Sequence, residues 1–235
     1  MRAGRVSVLI PAFNAERYLG EAIESALAQT HPPFELIVLD DGSSDGTAEA
    51  ARAFGKSVRY RRQEHEGVGA ARNHCVELAR GDHLAFLDAD DRWDPRKLER
   101  QLEAMRSDSR PADSRPDIVL SHVRQFVSPD LPAMKAARIR CPPTSQPGYL
   151  PGAMLVSREV FDRVGPFRTD VHFGEFMDWI ARSRDLGLRQ LMLDETMLWR
   201  RLHDTNLSVR RRDRRGDFAH VLKASLDRRR TQGAR

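Results

Sequence analysis

Apolar runs that stop at acidic or glycine-rich turns alternate with stretches of helical spacing through about residue 105. Val6 to Ile10 is a β-branched, apolar run of the kind that forms a fully buried strand, and PAFN turns the chain out of it. From Glu16 to Ala28 the apolar positions Leu19, Ile23 and Leu27 fall on one face at helical spacing, and His31, Pro32 and Pro33 end that helix. Phe34 to Leu39 is a second strand run that delivers Asp40, Asp41, Gly42 and Ser43 into a loop. A short helix from about Asp45 to Phe54, a strand from Val58 to Arg62, and a helix opened by HEGVGAARN and running to Leu78 come next. Gly81 stops that helix, and His83 to Leu87 is the central strand. Strand and helix alternating with short loops predict an α/β domain with a mainly parallel, Rossmann-like sheet. No GxGxxG follows the first strand, which argues against a dinucleotide enzyme.

The second half is less regular. Ser107 to Pro116 reads as a polar surface loop, Asp117 to Val127 as a strand, and the proline-rich, basic stretch Pro129 to Tyr149 as a mobile flap. After Pro151, GAMLVS reads as a strand, Arg158 to Val164 as a short helix broken by Gly165 and Pro166, and Glu175 to Leu186 as a helix closed by Gly187. Arg189 to Leu193 and Met197 to Arg201 read as two strands, and the segment from Arg210 onward as a basic helix or a disordered tail. There is no internal repeat. The 235 residues are read as one domain, with residues 1–105 and 106–209 as its halves and 210–235 as the tail.

Composition narrows the picture. Apolar residues at 40% and charged residues at 31% exclude general disorder. A net charge of +5 favours anionic partners: nucleotides, acidic lipids or nucleic acid. Cys75 and Cys141 lack ligand-like spacing and are expected as free thiols of a reducing compartment. MRAGRVSVLIPAF has too short an apolar run and no small-residue cleavage site for a signal peptide, and nothing approaches the roughly 20 apolar residues that cross a bilayer. The expected location is the cytoplasm, or the inner membrane face through surface contact.

The chemistry concentrates in LAFLDADD, residues 84–91, where an apolar run ends in Asp88, Asp90 and Asp91. Carboxylates this close repel one another unless a cation neutralises them. At the carboxyl end of a parallel strand they would hold Mg²⁺ or Mn²⁺ against a substrate diphosphate. The competing reading is an acidic turn before a helix, with Asp94 as N-cap and Pro95 at the first helical position; it accounts for Asp94 but not for the Asp88/Asp90 pair.

SVLIPAFN, ELIVLDDGSSDGT, GAARN, LAFLDADD, GAMLVSREVFDRVGPF and RRLHDTNLS, in that order, resemble family 2 glycosyltransferases, GT-A fold enzymes that move a sugar from a nucleotide diphosphate to an acceptor; the expected fold is a mainly parallel central sheet flanked by helices, with a small acceptor-side sheet in the second half. The resemblance implies that Pro11, Ala12 and Phe13 line the base pocket, that Asp41 accepts the base's ring N–H, and that Arg72 contacts the nucleotide. It implies that Asp88 and Asp90 form the DxD motif, with Asp90 on the metal, Asp91 able to share that duty, and His203 completing the metal or diphosphate site. Phe13 as plain core, an Asx turn at Asp41 or Asp40, and a surface salt bridge for Arg72 are the structural alternatives. The family places Asn or Gln ahead of the third helix, where this chain has His65 and Glu66.

The family's usual base is the Asp of a Glu-Asp pair at the start of a helix; here that pair is Glu175-Phe176. Glu175 and Asp178 are three apart, share a helical face, and are the two candidates for the base. Both also suit a helix amino terminus as plain acidic residues. The expected function is metal-dependent, inverting transfer from a nucleotide diphosphate sugar, with UDP-sugar as donor class and a glycan, lipid-linked sugar or peptide as acceptor. Two other possibilities stay open: a homologue that binds donor but turns over weakly, and a basic module that binds membrane or nucleic acid. A nucleotidyltransferase would need a glycine-rich phosphate loop that PAFNAERY lacks. The arginines from Arg210 to Arg230 are either a solvated face or a docking surface for anionic lipid, and no specific nucleic acid is expected.

Overall fold

The computed structural model describes residues 4–106, 114–171, 174–204 and 206. Among the described residues nine strands form one sheet. Its parallel half runs β3 (Arg59–Arg62), β2 (Glu35–Asp40), β1 (Val6–Ala12), β4 (His83–Phe86). β8 (Leu155–Ser157) lies antiparallel to β4 and reverses the sheet direction. β6 (Ile118–Val127) is antiparallel to β8, β9 (Gln190–Leu202) parallel to β6, and β5 (Arg92–Trp93) antiparallel to β9. β7 (Gln146–Pro147) pairs with β6 off the main path. The strands expected on the acceptor side are present, but they continue the central sheet instead of forming a sheet of their own.

Alternation along each strand feeds two cores. Val6, Val8 and Ile10 of β1 face one side, where Leu19, Ala22, Ile23 and Ala26 of α1 (Leu19–Leu27) and Leu98 and Leu102 of the helix Lys97–Arg106 cover them. Leu9 of β1, Ile37 and Leu39 of β2 and Phe86 of β4 face the other side, against Ala71, Cys75 and Val76 of the helix Val68–Leu78 and an aromatic group from the second half. In that group Phe161 stacks on Trp179 with ring centres 5.5 Å apart, and Phe167 meets Phe86 edge-on at 5.4 Å. Both faces of β1 and β2 are therefore covered, which is why these strands read as unbroken apolar runs.

In chain order the helices are α1, α2 (Thr47–Arg52), α3 (Val68–Leu78), α4 (Lys97–Arg106), α5 (Ala133–Ala136), α6 (Arg158–Val164) and α7 (Glu175–Asp185). The two strands expected in the region 189–201 are one, β9, whose pairing with β6 shifts register near His122. The segment 129–149, expected as a mobile flap, carries α5 and β7 and is tied down. Asp130 pairs with Arg17 at 2.6 Å and Lys135 with Asp204 at 2.5 Å. Most of the loop expected at 107–116 and the basic tail from Arg210 lie outside the described residues. Among the described residues, Cys75 and Cys141 are free thiols and no helix is long and apolar enough to cross a membrane.

Candidate active site

The carboxyl ends of β2 and β4 deliver the acidic residues to one edge of the sheet, beside the carboxyl end of β1. At β1, Pro11 and Ala12 are themselves strand residues, in register with Leu39 and Asp40, and Phe13 is the first side chain to emerge, 47% exposed. Beside it β2 ends in two aspartates with different duties. Asp40, fully buried, accepts the Ser43 N–H at 2.7 Å and the Tyr60 hydroxyl at 2.7 Å, so the turn is Asp40's work. Gly42 holds that turn at φ +80, where a Cβ would stand 2.9 Å from the His65 backbone nitrogen; a side chain here would be strained and would clash.

Asp41 faces the loop that leads into α3. Its Oδ1 accepts Gln63 Nε2 at 2.7 Å and the Glu66 N–H at 2.9 Å, and its Oδ2 accepts the Gly67 N–H at 2.9 Å. His65 Nδ1 lies 2.9 Å from the same Oδ2, and the imidazole stacks on Phe13 with ring centres 4.1 Å apart. Expected as a base pocket, this corner brings Phe13 and Asp41 together around His65, the position at which the chain departs from its family's Asn or Gln.

Five residues into α3, Arg72 points back into the sheet edge, 4% exposed. Its Nη2 donates to Asp88 Oδ1 at 2.7 Å and its Nη1 to Glu175 Oε1, while its Nε is buried without a partner. Burial opposes the charge, but Asp88 and Glu175 outweigh it, and the guanidinium is held above its ordinary value. The surface salt bridge considered for Arg72 is thus a buried clamp. It joins the acidic turn after β4 to the first residue of α7.

The turn itself is closed by the Asp91 N–H donating to Asp88 O at 3.0 Å. Asp88 and Asp90 keep side chains 34% and 30% exposed. Asp91 is buried, accepts the Arg201 N–H at 2.9 Å, and has its carboxyl pushed well up by burial, then by the charges of Asp90 and Asp88. Asp90 Oδ2 accepts His203 Nε2 at 2.9 Å and Asn206 Nδ2 at 2.9 Å. Among the described residues no three His, Cys, Asp or Glu side chains gather to hold a cation on their own. Asp90 and His203 offer a carboxylate oxygen and an imidazole nitrogen 2.9 Å apart, a donor set that suits a divalent ion completed by substrate oxygens.

Glu175 and Asp178 do not share a fate. Glu175 meets Arg72, whereas Asp178, fully buried, pairs with Arg182 at 2.8 Å one turn along α7. Phe176, where the family has its aspartate, is 4% exposed and packs with Phe167 and Trp179 in the second core. Asn206, Gln63 and Tyr18, whose ring lies 4.9 Å from that of His203, were not singled out by sequence reasoning. Asn206 had a signal, its place three residues after His203 in RRLHDTNLS.

The model of the glycosyl transferase family 2 matches residues 7–165. The chain belongs to glycosyltransferase family 2. It is 43% identical over 105 residues to a putative teichuronic acid biosynthesis glycosyltransferase, TuaG, of Bacillus subtilis, covering 43% of this chain and 41% of that protein. Over 134 residues it is 36% identical to an uncharacterised glycosyltransferase of Rickettsia typhi, covering 53% of this chain and 41% of the relative. The chain thus spans about two fifths of the length of these curated relatives. Among solved structures, Staphylococcus aureus TarS 1–349 in complex with UDP superposes with a TM-score of 0.68 at 19% identity, over 94% of this chain and 64% of that one. The mannosyltransferase PcManGT of Pyrobaculum calidifontis, in complex with GDP-Man and Mn²⁺, gives 0.70 at 19% identity, over 97% and 65%. These structures share the fold, a mixed α/β sheet with flanking helices.

Proposed function

We propose that this chain transfers a glycosyl group, with inversion, from a nucleotide diphosphate sugar of the UDP class to a hydroxyl acceptor, with a divalent metal on the donor diphosphate. The observation that carries this reading is the span of α3. The N–H of Gly67 ahead of its first turn binds Asp41, and Arg72 within it binds Asp88 and Glu175, so one helix ties the base corner, the acidic turn and α7 into a single edge. Relatives of this fold in complex with UDP and with GDP-Man and Mn²⁺ support the substrate class.

In this reading Phe13 offers its exposed face to the base and Asp41 accepts the ring N–H. Asp88, oriented by Arg72, takes the ribose hydroxyls, and Asp90 with His203 holds Mn²⁺ or Mg²⁺. The metal, when bound, neutralises charge that develops on the departing diphosphate. Asn206 holds Asp90 and the backbone of His203 together, fixing both groups before substrate arrives. Glu175 stands as the base: it begins α7, and release from Arg72 leaves a carboxylate able to take the acceptor hydroxyl's proton. Asp178 is closed off by burial and Arg182, which places it second.

Phe176 favours a second reading, a homologue that binds donor and turns it over weakly, because a core ring fills the family's base position. Thermal-shift and hydrolysis measurements with a panel of nucleotide sugars, with and without Mn²⁺, separate the two. Stabilisation plus slow metal-dependent hydrolysis of a UDP-sugar is the result expected of the transferase. Stabilisation with no hydrolysis of any donor points to the weak homologue, and no response to any nucleotide sugar overturns both.

A further inference from the structure

The base corner already contains a flat ring with an N–H. A carboxylate presents about four lone-pair sites; three donors bond to those of Asp41, and an imidazole stands against the remainder. Two belong to the backbone N–H groups of Glu66 and Gly67, which the entry into α3 fixes. The third is taken by Gln63, whose own carbonyl oxygen is held by His74 at 2.7 Å. His65 Nδ1 donates to the main-chain oxygen of Asp41 at 3.1 Å and lies 2.9 Å from Oδ2, and its side chain, 54% exposed, is the one of these groups free to swing into solvent. The same imidazole covers Phe13 at 4.1 Å with the ring planes 22° apart. It therefore covers the apolar face and stands against the N–H acceptor that a uracil ring would need.

We propose that His65 occupies the base position of the donor-free protein, and that a base carrying a ring N–H enters by displacing it from both Phe13 and Asp41. The proposal rests on the reading that Phe13 and Asp41 receive the base. Donor affinity is then the intrinsic affinity reduced by the fraction of molecules with His65 swung out. The position also discriminates: a cytosine ring, whose N3 carries no proton, gains no bond from the Asp41 carboxylate in exchange for the contacts His65 gives up, so the plug favours uracil beyond what stacking alone would give. The Asn or Gln that the family places ahead of this helix has no ring to cover Phe13.

The test uses uridine and UMP in metal-free buffer, so that the diphosphate and the metal take no part, with the full chain in calorimetric titration. His65→Ala should bind uridine about tenfold more tightly than the parent, the gain expected when the open state rises from roughly a tenth of molecules to all of them. In the parent, saturation with uridine should move the imidazole proton resonances of His65 away from their ring-current-shifted positions. Unchanged or weaker uridine binding by His65→Ala overturns the proposal, the weaker case meaning that the imidazole is a wall of the pocket and not its occupant. Phe13→Ala, at an exposed position, tests the underlying reading separately. Loss of uridine binding in the Phe13→Ala/His65→Ala double variant keeps the base corner where it is placed, and retention there removes the reading and the proposal together.

Discussion

Replacing Arg72 with methionine tests the buried clamp. The substitution keeps most of the stem's volume, so the cavity penalty is small, but it leaves two carboxylates facing each other without a cation. Breaking a fully buried pair costs about 3–5 kcal/mol, most of it the uncompensated charge left behind. Glu175, with a side chain only 11% exposed, bears nearly the whole of that penalty, while Asp88 at 34% is screened by solvent and contributes little. Removal of the buried Arg72 Nε, which has no partner, returns roughly 1 kcal/mol. The net loss should be about 2–4 kcal/mol, which for a chain of this size lowers the melting temperature by roughly 4–16 °C. Urea titration at neutral pH, paired with scanning calorimetry, measures it. Adding Glu175→Gln to the methionine variant should recover more than half of the loss, since the stranded charge is gone. A methionine variant within about 0.5 kcal/mol of the parent, or a double variant no better than the single, would refute the view that this cluster is held by Arg72.

Two further outcomes concern titration. Lys97 is fully buried, with its amine over the Trp93 ring at 4.1 Å and bonded to Gln101 Oε1 at 2.8 Å, and burial pushes it well below 10.5. Between that lowered value and 10.5 the unfolded chain binds the extra proton, so stability rises with pH; urea midpoints across this range should rise for the parent and flatten in Lys97→Met, and parallel slopes would contradict it. The Tyr60 phenol, raised by burial and by its bond to Asp40, is pushed up to about 12, so its contribution to stability is complete below 10.0 and lost as pH rises toward about 12. Ultraviolet titration should show a late phenolate that Tyr60→Phe removes, and an unchanged curve in the variant would count against the Asp40 bond.

The parallel half of the sheet was legible because burial on both faces writes strands β1, β2 and β4 as unbroken apolar runs, the last two ending in acids. β5 was not, since two residues, Arg92 and Trp93, carry no period. β9 read as two strands because Asp194 and Glu195 interrupt its apolar character; Glu195 is drawn out to Arg100 at 2.7 Å while the strand continues. In the site, Asp88 and Asp90 stood out by local spacing, and His203 by the resemblance of RRLHDTNLS to the family's pattern. What spacing could not carry was pairing across the chain: Arg72 with Glu175, 103 residues apart, or Asn206 with Asp90, 116 apart. His65 was visible only as a departure from the family's pattern, and its stacking on Phe13 needed the turn at Gly42 to bring the two loops together.

The metal-bridged diphosphate is the core of the functional account, and UDP affinity with and without Mn²⁺ tests it most directly. In the parent chain Mn²⁺ should tighten UDP binding at least about tenfold, and in Asp90→Asn that gain should vanish while the metal-free affinity stays the same. An equal gain from Mn²⁺ in both proteins would mean that the cation, if it acts at all, is held away from the turn after β4.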